Sequence, residues 1–222
     1  VTVSNDSAAG DSTAGTTGRS TFDVRADGPA VVRKGPAHGP TVVVLDPQGD
    51  AKHEGLPATW RPLADDVAVV WWRLPAAVRA GLTGDVLPVE LADGRAPLHL
   101  VGAGDAAPLA VSLAAQRPES VRSVVLVDPP WAPDDDSPVE DVIDSVAVHR
   151  VVTDGTGSPV DLLPLGHPEV LAAVLTALVS SDLWPDDHDG PQVPAAESLA
   201  SDAWHAARIR LSQLLDTLLG KR

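Results

Sequence analysis

The chain has no cysteine, no methionine, no tyrosine and a single phenylalanine, and its 16 Lys and Arg are outnumbered by 31 Asp and Glu, a formal net charge of -15. Each shortage excludes something. Without cysteine there can be no disulfide, no thiolate nucleophile and no cysteine metal site, a usage that fits a cytoplasmic protein. Without a basic face there is nothing to hold a phosphate backbone, so nucleic acid is not an expected partner. No apolar run reaches the roughly 18 residues of a membrane span. The seven histidines and the acidic runs Asp134 to Asp136 and Asp186 to Asp189 show no metal-ligand spacing. Neither a metal nor any other cofactor is therefore expected.

What is present is a 44% apolar content carried by Ala, Val and Leu within 222 residues, enough for one domain with a sizeable core. Residues 1–20, rich in Ser, Thr, Gly, Ala and Asp, lack the basic start and apolar stretch of a secretory signal and read as a disordered tail. From Thr21 onward, short β-branched runs alternate with Ala/Leu-rich helical segments, the pattern of a parallel-sheet α/β domain. Phe22 to Ala26 and Ala30 to Lys34 suggest a hairpin across Asp27-Gly28-Pro29.

Strands are expected at Thr41 to Leu45, Val67 to Trp72, Leu98 to Val101, Ser120 to Val127, Val146 to Val152 and Val160 to Leu165. Helices are expected at Ala58 to Ala64, Ala106 to Gln116, Ser137 to Ser145 and Pro168 to Ser180. Trp71 and Trp72 must face opposite sides of their strand, one in the core and one partly exposed. The domain is thus expected over residues 21–183, with a polar linker at 184–194 and a last helix within 195–222. In that helix Trp204, Ala207, Leu211, Leu214 and Leu218 recur at spacings of three and four. Such an apolar stripe suits either docking on the domain's own core or a protein partner or self-association.

The most specific segment is Leu98-His-Leu-Val-Gly-Ala-Gly-Asp-Ala-Ala-Pro-Leu-Ala, continuing to Arg117-Pro-Glu-Ser-Val and Leu126-Val-Asp-Pro130. It resembles the nucleophile-elbow region of the α/β-hydrolase family, which reads strand, V-G-x-S-x-G-G, helix, R-P-E-x-V, strand, L-V-D-P. The resemblance implies a doubly wound, mostly parallel sheet with flanking helices. The short stretch between Pro130 and Val146 implies that no cap domain is present, so that any pocket would be shallow or open.

The elbow turns sharply from strand to helix, so it needs small residues on either side of the nucleophile, and Gly102 and Ala106 meet that demand. The nucleophile position itself holds Gly104. A tight turn with no chemistry is the simplest reading of Gly102-Ala-Gly-Asp-Ala, with Asp105 favouring the positive helix N-terminus. The family's oxyanion turn corresponds to Leu45-Asp-Pro-Gln-Gly49. There Pro47 offers no N–H and Asp46 brings negative charge, while Gln48 could still donate. The usual acid position corresponds to Gly155-Thr-Gly-Ser-Pro159 and is empty of carboxylates, leaving Asp154 or Asp128, at the end of its strand, as substitutes. His167 stands where the resemblance places the catalytic base.

Three functions stay open. The first is a non-hydrolytic protein of this fold that binds a small apolar ligand or a protein partner. The second is a hydrolase of a small ester or related substrate with rearranged residues around His167 and Asp128, and the third is a purely structural subunit.

Overall fold

Four largely apolar runs set the architecture, because each is buried along most of its length and has to be covered on both faces. The computed structural model describes residues 27–37, 39–49, 55–79, 97–132, 139–140, 145–152, 163–180 and 195–220, with backbone alone over 195–205. Its strands are β1 (Val31–Lys34), β2 (Thr41–Asp46), β3 (Ala68–Arg73), β4 (Leu98–Ala103), β5 (Val121–Val127) and β6 (Ala147–Val151). Its helices are α1 (Leu74–Arg79), α2 (Ala107–Gln116), α3 (Pro168–Ser180) and α4 (Ala195–Leu218).

The six strands lie in the order β1-β3-β2-β4-β5-β6. β1 runs antiparallel to β3, and every other pairing is parallel. This is an α/β fold with a mixed, mostly parallel sheet and flanking helices, as the α/β-hydrolase resemblance implies. Every residue of β2 and of β4 is buried. On one face Val42, Val44, Trp71, Val101 and Val125 pack under α3, α4 and the turns around Trp60 and Leu63. On the other, Val43, Leu45, Trp72, Leu100 and Leu126 pack under α1 and α2.

The structure corrects several expectations. Residues 58–64 form two short 3-10 turns, Ala58–Trp60 and Leu63–Asp65, in place of one helix. Pro62 lacks the N–H that would bond to the carbonyl of Ala58, and its ring crowds that carbonyl. Helix α1 was not anticipated, and Pro75 in its first turn, where no donor is needed, suits it. Trp71 and Trp72 do face opposite sides, yet both are buried, because both faces of the sheet are covered. Leu163 to Leu165 are not in a strand. The expected tail, the linker, Phe22 to Ala26, most of Ser137 to Ser145 and the sequence Asp154 to Pro159 lie outside the described residues.

The described part of α4 docks on its own domain. Ala207 and Leu211 are buried in the first core, with Leu214, Leu215 and Leu218 packed against it. Arg208 donates to the carbonyl of Val179 at the end of α3, and Arg210 forms an ion pair with Asp66. Among the described residues no helix is long and apolar enough to cross a membrane.

Candidate functional site at the carboxyl edge of the sheet

Parallel strands bring their carboxyl ends to one edge, which is where sites form in open α/β sheets. The register places Leu45 beside Gly102, and Ala103 beside Val127. Asp46, Gly104 and Asp128, each at or just past its strand's end, therefore stand on neighbouring strands β2, β4 and β5.

Gly104 opens a single 3-10 turn, Gly104–Ala106, that leads into α2. Its φ of 48° lies in the left-handed region that favours glycine. Gly102 is equally constrained, for a different reason. A Cβ there would come within 2.8 Å of the Ala110 side chain and 3.0 Å of the Ala106 carbonyl oxygen. The strand and helix thus meet as closely as an elbow requires. Gly104 itself is buried, while Asp105 is exposed in the first turn of the 3-10 segment.

The turn after β2 is closed on itself. Asp46 is fully buried, and its Oδ1 accepts the backbone N–H of Gln48 at 2.9 Å and of Gly49 at 2.7 Å. Its Oδ2 accepts the indole N–H of Trp71 at 2.7 Å. The Gln48 N–H that the sequence left available for an oxyanion is therefore taken by a carboxylate of the chain itself.

Asp128 adopts φ 41°, alone among the described non-glycine residues in having a positive φ. Its N–H donates to the Val151 carbonyl, and its Oδ2 accepts the N–H of Leu163 at 2.9 Å. Asp128 thereby ties the end of β5 to the segment that carries His167. No hydrogen bond joins it to the imidazole among the described residues.

His167 sits at the N-terminus of α3, and its carbonyl accepts from Leu171. Its Nδ1 lies 3.3 Å from the N–H of Glu169, which donates to it. A neutral imidazole accepting at Nδ1 carries its proton on Nε2. A triad base needs the opposite tautomer, with Nδ1 donating to an acid and Nε2 free to take a proton. The side chain here caps a helix. Two further bonds hold its loop: Trp60 donates its indole N–H to the Leu165 carbonyl at 2.7 Å, and Thr59 its hydroxyl to the Gly166 carbonyl at 2.9 Å. Trp60 in turn meets Trp71 edge to face, with ring centroids 5.0 Å apart. The oxyanion-type turn and the His167 loop are thus linked through two tryptophans that the sequence did not single out as site residues.

A second polar group lies beneath α3, within the sheet. His99 on β4, 2% exposed, has Nδ1 2.8 Å from the hydroxyl of Ser123 on β5. Burial first, and then the charges of Arg122 and His149, push its pKa down to about 3, so the ring is neutral at ordinary pH. Burial also lowers the pKa of His149. Lone polar residues in apolar strands were the only signal of this cluster in the sequence.

Among the described residues no group of acids and histidines could hold a metal ion. No family model and no curated protein matches the chain. Among solved structures it is similar to a thioesterase domain from the curacin biosynthetic pathway, with 19% identity over 52% of this chain and 47% of that one and a TM-score of 0.27. It is also similar to a membrane phospholipase A described as a bacterial virulence factor, with 21% identity over 85% of this chain and 58% of that one and a TM-score of 0.33. A hydrolase from Oleispira antarctica shares 9% identity over 84% of this chain and 67% of its own length, with a TM-score of 0.26. The chain spans 47% and 58% of the first two, about half of each. The fold assignment rests on the strand order and directions described above.

Proposed function

We propose that this chain is a non-hydrolytic protein built on an α/β-hydrolase-like fold, acting by binding a small ligand or a protein partner. The observation that carries this reading is the Asp46 carboxylate, which occupies the backbone N–H groups of both Gln48 and Gly49. Acyl transfer needs donors aimed at an oxygen on which charge develops, and loss of one such donor costs about two to three powers of ten in rate. Here a full negative charge already holds them, and it would repel an oxyanion as well.

Two features support the same reading. Gly104 supplies no hydroxyl at the turn, and His167 accepts at the nitrogen that would have to donate. The test treats the purified chain with a serine-directed fluorophosphonate and follows intact mass, alongside turnover of short p-nitrophenyl esters. No adduct and only background turnover are expected. Stoichiometric labelling that disappears in Ser112→Ala or Ser158→Ala would overturn the reading.

A further inference from the structure

We draw no further inference here: the strongest candidate, the side-chain cluster of His99, Ser123 and His149 on the face of the sheet beneath α3, rests on the lowered pKa values of its two imidazoles alone, and nothing in the structure shows what would occupy it.

Discussion

The indole N–H of Trp71 reaches across from β3 to the Oδ2 of Asp46 on β2, 2.7 Å away in the fully buried interior. With the two backbone donors on Oδ1, this bond makes Asp46 a tie between strand, turn and aromatic core. Asp46→Ala would leave three donors without their acceptor, two of them buried. A loss of about 3 kcal/mol or more is expected from urea unfolding, since each orphaned buried group costs about 1–3 kcal/mol. Asp46→Asn keeps one acceptor oxygen and turns a donor toward Trp71, so an intermediate loss is expected.

Gly104→Ser restores the side-chain type of an elbow nucleophile, yet should give no ester turnover above background. Serine would have to adopt the φ of 48° that glycine tolerates, beside a turn whose donors are filled. His167 would also have to exchange its proton between ring nitrogens and leave its cap on Glu169. The measurement is p-nitrophenyl acetate hydrolysis by the variant. Robust turnover that disappears in Gly104→Ser/His167→Ala would mean that the machinery is intact.

Acid should destabilise the fold earlier than its carboxylates alone require. His99 has a folded-state pKa of about 3 against an ordinary 6.5, so between those values the unfolded chain binds a proton that the folded chain does not. Stability is therefore complete above pH 6.5 and falls as pH drops toward 3, by about 1.4 kcal/mol per unit once well below 6.5. From pH 7.5 to 5 the expected loss at this one site is about 2 kcal/mol. The lowered pKa of His149 acts in the same direction. His99→Asn, which can still bond Ser123, should show a shallower decline in urea unfolding over that range. An identical decline would show that the His99 pKa is unaltered by folding.

The apolar stripe of α4 belongs to the core as far as its side chains are described. Leu211, 1% exposed, should cost about 2–5 kcal/mol when truncated to Ala. Exposed Ile209, 61% accessible, should tolerate Ala with a change within about 0.5 kcal/mol. Thermal unfolding of the two variants checks the contrast. Deleting residues 195–222 should unfold the domain, because it uncovers α3 and the sheet face behind it.

The parts of this fold legible in the sequence are those fixed by uninterrupted patterns. Thr41-Val-Val-Val-Leu is apolar on both faces and became part of a strand with covered faces, the strand expected at Ser120 to Val127 formed over Val121–Val127, and Pro168 to Ser180 formed a helix with those same bounds. The turn at Gly104 was legible because strand, small residues and helix follow one another without a gap. Bonds between distant residues were not. Asp46 read as a charge exposed to the site, whereas it turns inward onto the donors of its own turn, and nothing in the sequence reveals which N–H a carboxylate meets. The break at residue 62 had a local signal in proline, which the surrounding helical residues outweighed.

The edge-to-face pair of Trp60 and Trp71 has an optical consequence. With no tyrosine in the chain, its intrinsic fluorescence is that of six indoles, and Trp60, Trp71 and Trp72 are buried away from water. Their emission should lie well to the blue of an indole in water. Trp60 and Trp71 are each tethered through their ring N–H to the two loops of the carboxyl edge. Any rearrangement of that edge must disturb one of those rings, so the chain carries its own spectroscopic gauge of the region, readable without a label.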